Sequence, residues 1–256
     1  MDALFANDPF REFYNLEGTE IVALTTDIDW APDYAVASLY ELVAEFGFKL
    51  TAFMTHDDGV SRTAGDWLEI GLHPDHTRPD PERGFPPKLE RLKELYPMAK
   101  GLRCHRNFFG NNISDIAKKL GLVYDASVLL WRQPFGQAYV DYNGIARMTY
   151  CWEDGMHADM KCPMTIDEVR LDTPGLKILN VHPILMYLNA PDDHWRRKVT
   201  GRYTDLTRAP KSEIEPHVHT GYGLRSFYRD LLMHLKERNI RTVHCLDIAK
   251  AGLKAA

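Results

Sequence analysis

EIVALTTDID, residues 20–29, is the stretch whose reading decides how this chain folds. Residues 21–24 are apolar without a break and read as a buried strand. The run ends on polar groups: Thr25, Thr26, Asp27 and, after Ile28, Asp29. Residues 33–47, DYAVASLYELVAEFG, then carry apolar side chains at helical spacing, with Gly47 as the stop. A strand, a turn bearing acids and a helix form the opening unit.

The unit recurs. Residues 49–55, 67–73, 101–105, 122–125, 176–181 and 240–245 read as further strands, and 88–96, 114–120, 224–238 and 247–254 as helices. Such alternation predicts a parallel sheet, closed as a barrel or open and doubly wound. Residues 2–17 read as a helical lead-in, 129–154 as aromatic with weak periodicity, and 186–218 as a long, charged, irregular stretch. No repeat or linker divides the chain, so a single domain over residues 1–256 is expected.

A net charge of −5 and the lack of a basic run argue against a nucleic-acid binder. The cysteines, Cys104, Cys151, Cys162 and Cys245, lack the close pairing of a structural zinc site and suit a reducing compartment. No secretory leader and no membrane span are read in the sequence, so a cytoplasmic protein is expected.

The chemistry gathers where strands end, which is where α/β folds collect ligands. Asp27 and Asp29 share a face if the strand stays extended. Two carboxylates in one pocket call for a cation or a proton between them. Residues 69–76, EIGLHPDH, end the third strand. Pro74 suits the second position of a four-residue turn, which would bring His73 and His76 toward one ion. Two histidines with a carboxylate form a common open catalytic metal set. His182 closes the strand KILNV, residues 177–181, and suits a general acid. Arg103 and His105 share a face of the fourth strand, with Arg106 beyond it, and an arginine there can orient an acid.

These motifs, in this order, resemble the polysaccharide deacetylase superfamily of carbohydrate esterases, which includes chitooligosaccharide deacetylases. That family carries Thr-Phe-Asp-Asp-Gly on its first strand, Glu-Ile-Gly-x-His-x-x-x-His on the third, Arg-x-Pro-Tyr on the fourth and Leu-x-His on a late strand. The matching segments here are Thr25-Thr26-Asp27-Ile28-Asp29, the stretch from Glu69 to His76, Arg106-Asn107-Phe108-Phe109-Gly110 (or Arg103-Cys104-His105), and the strand ending in His182. Tyr124-Asp125-Ala126-Ser127 resembles another common segment. The likeness runs over residues 21–249, and the Asp-Ile-Asp-Trp and His-Pro variants look like a bacterial, surface-polysaccharide-associated branch. The chain departs from the pattern in its Asp-x-Asp pair, in histidines three apart instead of four, and in lacking Pro-Tyr. Thr55-His56-Asp57-Asp58-Gly59 imitates the first motif but stands on the second strand, too close to His73.

The resemblance implies a distorted parallel (β/α) barrel of about seven strands. It implies a metal-dependent hydrolase that removes an N-acyl group, typically acetyl, from a sugar in lipopolysaccharide or O-antigen biosynthesis. One divalent ion, zinc or alternatively cobalt, nickel or iron, would rest on Asp29, His73 and His76. Asp27 would act as base and His182 as acid, with Arg103 or Arg106 orienting Asp27; Asp27 and Asp29 are interchangeable at this level. Trp30, His105 and Asp125 would touch the substrate, an N-acylated sugar or glycan precursor. Two other readings stand beside it: a metal-independent amidase on a non-sugar substrate, and a degenerate glycan-binding member without turnover.

Overall fold

The strand Ile21–Asp27 (β1) is buried along its whole length, with a separate core on each of its faces. A computed structural model describes residues 5–16, 21–133 and 135–255 of the chain. On one edge β1 pairs in parallel with Leu50–Met54 (β2) and, nearer its start, with Arg241–Val243. On the other edge it pairs in parallel with Ile178–Val181. From β2 the sheet continues through Leu68–Leu72 (β3), Gly101–Leu102 (β4) and Tyr124–Leu129 (β5), all parallel.

The segment 146–153 closes the ring. Its first half, Ala146–Tyr150, pairs in parallel with β5, across a register shift between Asp125 and Val128. Its end, Trp152–Glu153, pairs in parallel with Ile178–Val181. Between them the Cys151 N–H donates to the Ile178 carbonyl at 3.0 Å. The strand order therefore comes back to β1, and the chain forms the distorted parallel barrel. Among the described strands, Ala138–Val140, paired to Ala146–Tyr150, is the one that runs antiparallel. In chain order these are β6 (Ala138–Val140), β7 (Ala146–Tyr150), β8 (Trp152–Glu153), β9 (Ile178–Val181) and β10 (Arg241–Val243).

Alternation along the strands sorts side chains into two cores. Val22, Leu24, Ala52, Met54, Leu72, Leu102, Leu179 and Val181 face outward. They pack under helices such as Asp33–Phe46 (α1) and Leu224–Glu237. Ala23, Phe53, Tyr124, Ala126, Met148, Tyr150 and Ile178 face inward, and Phe10, Phe13, Tyr14, Cys245 and Ile248 belong to the same inner core. Gly71 and Gly101 admit the aromatic filling: a Cβ on Gly71 would stand 2.6 Å from the Phe53 ring, and one on Gly101 would collide with the Tyr124 ring. α1 ends as its sequence predicts, with Gly47 left-handed at φ 71° and its N–H donating to the Ala44 carbonyl.

Some readings change. Within the described part of the lead-in there is one 3-10 turn, Arg11–Phe13; residues 1–4 and 17–20 lie outside the description. The stretch 129–154 holds β6, β7 and β8. Its pattern is weak because these strands are short, three, five and two residues, and leave few positions in which a period can register. The irregular stretch contains the helices Asp193–Thr200 and Lys211–Ile214.

Candidate active site

The inward phase of each strand, carried past its carboxyl end, brings the polar residues together. Thr25 and Asp27 follow Ala23, His73 follows Gly71, Arg103 follows Gly101, and Asn180 and His182 follow Ile178. At the centre lies Arg103, fully enclosed. Its Nε donates to the Ala126 carbonyl at 2.9 Å, and its Nη1 lies 2.9 Å from Thr25 Oγ1, 3.1 Å from Asp27 Oδ1 and 2.6 Å from Asn180 Oδ1. The guanidinium is sandwiched between Phe53 and Tyr150, 4.5 and 4.3 Å from the ring centres. Asn180 Nδ2 donates to Asp27 Oδ2 at 2.9 Å, so both Asp27 oxygens are held.

Asp29 reaches the pocket by a different route from the one expected. β1 ends at Asp27, and Asp29 and Trp30 adopt left-handed backbone, φ 40° and 55°. Such conformations cost energy outside glycine and concentrate at functional sites. The turn brings Asp29 Oδ1 within 3.3 Å of His73 Nε2 and 3.2 Å of His105 Nδ1. Neither contact has hydrogen-bond alignment, and this enclosed oxygen has no hydrogen-bond partner among the described residues. Asp29, His73 and His105 each present a ligand atom, all within 4.8 Å of one another. Oxygen and imidazole nitrogen in this grouping suit a zinc-type divalent ion, so the residues fit the metal that the sequence implied. Burial works against ionisation of Asp29, but His105 and His73 hold its carboxyl well below the usual carboxylate range. Burial likewise opposes charge on His73, yet Asp27 and Asp29 outweigh it and move the imidazole upward.

His182 stands on the far side, its Nε2 3.8 Å from Asp29 Oδ2. Both oxygens of Asp154 grip it: Oδ1 lies 2.6 Å from His182 Nδ1, and Oδ2 accepts the His182 backbone N–H at 2.8 Å. Burial resists the charge on His182, but the buried Asp154 overrides it and holds the imidazole well above its usual range. Asp154 begins the helix Asp154–Asp159 directly after β8. It was missed in the sequence because the strand before it lacked a legible period. Its signal was available: Glu153 and Asp154 follow the apolar residues Tyr150, Cys151 and Trp152, the same acid-after-strand pattern as at Asp27. Asn180, hidden within an apolar strand, carried no such signal.

Two expected site residues are not brought here. His76 is fully buried, and its ring edge packs on Phe85 at 5.4 Å between centroids. The turn forms two residues later than the proline suggests, because the Asp75 carboxylate accepts the Thr77 N–H at 2.9 Å. The chain stays extended past Pro74, and histidines three apart then point to opposite faces. His105, expected as a substrate contact, takes the place beside His73. Asp125 is out of phase with Tyr124 and Ala126 and faces outward, where Arg147 Nε lies 2.7 Å away. Of the two candidate arginines, Arg103 holds Asp27, while Arg106 stands at the pocket mouth. Trp30 lines that mouth, its ring edge-on to His105.

His76 has a consequence for acid stability. Burial, reinforced by the Lys88 charge, pushes its imidazole down to about 4. In the unfolded chain a histidine titrates near ~6.5. The unfolded state thus binds this proton more readily. The contribution of His76 is full above about pH 6.5 and is lost as pH falls toward about 4, by roughly 3 kcal/mol. Denaturation series from pH 7 to 4 should show a shallower acid slope in His76→Gln than in wild type. Equal slopes would mean that the buried imidazole takes up its proton within the fold.

A cavity of about 170 Å³ is lined by Asp27, Asp29, His73, His105, Glu153 and His182. A parallel barrel with an oriented carboxylate, an Asp-His-His cluster and an Asp-supported histidine at its carboxyl end has the layout of a hydrolase that splits amides or esters. The sequence model of the WbmS-like polysaccharide deacetylase family matches residues 24–198. The chain belongs to that family and is a carbohydrate deacetylase by class. Among solved structures it is similar to WbmS of Bordetella bronchiseptica, described as a polysaccharide deacetylase involved in O-antigen biosynthesis. The TM-score is 0.74 at 24% identity, over 84% of this chain and 90% of that one. It is also similar in fold to 4-alpha-glucanotransferase of Thermococcus litoralis, with a TM-score of 0.50 at 11% identity, over 90% of this chain and 38% of that one. No curated protein matches. Among the described residues no helix is long and apolar enough to cross a membrane.

Proposed function

We propose that this enzyme hydrolyses the N-acetyl amide of an amino sugar destined for a bacterial surface polysaccharide of the O-antigen type, and that it needs one divalent metal ion. The observation that carries the reading is the enclosed Asp29 Oδ1, unbonded yet 3.2 to 3.3 Å from two imidazole nitrogens. The O-antigen assignment of the Bordetella protein supports the substrate class.

Asp29, His73 and His105 would hold the ion, zinc by donor type. When bound, such an ion polarises an acyl carbonyl and makes water a better nucleophile at neutral pH. Asp27 takes the proton of the attacking water. Arg103 and Asn180 fix its carboxylate, so little reorientation is needed as the reaction proceeds. His182, held in one orientation by Asp154, delivers a proton to the departing amine nitrogen. Trp30 and the walls of the pocket position the sugar.

The test is metal content together with acetate release from N-acetylated amino sugars. Wild-type protein should hold about one equivalent of zinc and lose activity on chelation. His73→Ala and His105→Ala should each cost about tenfold or more in metal affinity, whereas His76→Gln should keep it. Equal metal in His105→Ala and wild type would remove His105 from the site. Full turnover after exhaustive chelation would favour the metal-independent amidase.

A further inference from the structure

We propose that the groove beside the catalytic pocket selects a sugar bearing an anionic group, a carboxylate or a phosphate, read by Arg196 and Arg106. The inference rests on the deacetylase reading above and names the substrate class more closely. A second cavity, of about 430 Å³, shares Asp29, His105, Arg106, Glu153 and His182 with the first. It is thus continuous with the reacting centre and of the size of small-ligand sites.

Beyond the shared residues its charged wall consists of Arg196 and Arg197, with Asp159 and Asp193. The buried Asp193 spends one oxygen on Arg196 Nε at 2.6 Å and the other on Arg197 Nε at 2.5 Å. Arg197 Nη2 also lies 3.5 Å from Asp159. Arg196 has no second carboxylate among the described residues, so its two Nη groups stay free on a side chain that is already fixed. A guanidinium held by Nε presents a fork suited to two oxygens of a carboxylate or phosphate, with little ordering entropy left to lose.

Arg106 lines the same groove from the turn His105–Asn107. Its guanidinium makes no hydrogen bond or ion pair among the described residues. Arg106 and Asn107 both adopt left-handed backbone, φ 54° and 57°. Strain at two successive non-glycine residues, ending in an unpaired cation at a site mouth, is characteristic of a functional contact. The groove holds three guanidiniums, Arg106, Arg196 and Arg197, and four carboxylates, Asp29, Glu153, Asp159 and Asp193, with Asp193 already committed to Arg196 and Arg197. The chain as a whole carries −5, so attraction for an anion has to be local.

Calorimetric titration of the metal-loaded protein with N-acetylglucosamine, its 1-phosphate and the corresponding N-acetylated uronic acid tests this. One anionic probe should bind at least about tenfold more tightly than the neutral sugar, and which one does so separates phosphate from carboxylate. Arg196→Gln and Arg106→Gln should each reduce that preference several-fold. Arg196→Lys, which keeps the charge and loses the fork, should restore part of it. Arg106 is exposed, so its variant carries the test if Arg196→Gln does not fold. Equal affinity for all three probes in wild type, or a preference intact in both Gln variants, overturns the proposal. Turnover is read separately: binding of an anion without acetate release would strike the deacetylase reading and leave the anion site standing.

Discussion

Asp27→Asn is expected to lower kcat for acetate release by about 10²- to 10⁴-fold, the range for removing a general base. KM and metal content should change little, because Asp27 is not among the three clustered ligand atoms and the loss falls on the transition state. Asn keeps the size of the side chain and can still accept from Arg103 Nη1, 3.1 Å away in wild type. The barrel should therefore remain folded, and a circular dichroism melt would confirm it. Activity within tenfold of wild type would move the base elsewhere. Glu153 would then be the next carboxylate to examine: it lines the same cavity, Tyr150 OH donates to it at 3.0 Å, and burial pushes its carboxyl upward against the pull of His182.

Arg103→Leu is expected to cost about 3–5 kcal/mol of folding stability, as for breaking a buried ion pair by removing one partner. Arg103 fills the axis of the barrel with no exposed surface, and Asp27 beside it is nearly as enclosed, at 4%. Without the guanidinium, the Asp27 charge, the Thr25 hydroxyl and the Asn180 amide oxygen lose a shared donor. Urea unfolding of wild type, Arg103→Leu, Asp27→Asn and the double variant separates the contributions. The double variant should be less destabilised than the sum of the singles, since it leaves no buried unpaired charge. A loss under about 1 kcal/mol in Arg103→Leu would show that water or a rearranged interior replaces the guanidinium, contrary to a dry, packed axis.

Much of the site was legible because strand alternation is local. Once 21–24 is read as a strand, the face carrying Ala23 also carries Thr25 and Asp27, and the same phase leads from Gly71 to His73 and from Gly101 to Arg103 and His105. Choosing Asp27 over the imitation at Asp57 and Asp58 used the strand count together with the spacing to His73 in the family pattern. Asp58 is in fact turned to a local role, its Oδ1 accepting the Val60 and Ser61 N–H groups at 2.9 Å. Asp154 escaped because the strand directly before it is two residues long, too short to show a period. His76 was misplaced because one side-chain hydrogen bond, Asp75 to Thr77, sets where the turn falls.

The sequence by itself determined the strand-and-helix alternation, the inward face of each strand, and the acids and histidines set where strands end. These follow from periods of two and 3.6 residues, which neighbours in the chain enforce. Only the tertiary structure decided which of these residues meet. His105 and not His76 joins Asp29 and His73, Arg103 and not Arg106 holds Asp27, and Asp154 supports His182. Those pairings depend on closure of the ring through residues 146–153 and on the left-handed turn at Asp29 and Trp30. Distances across a closed barrel are set by all its strands together, so no local spacing encodes them.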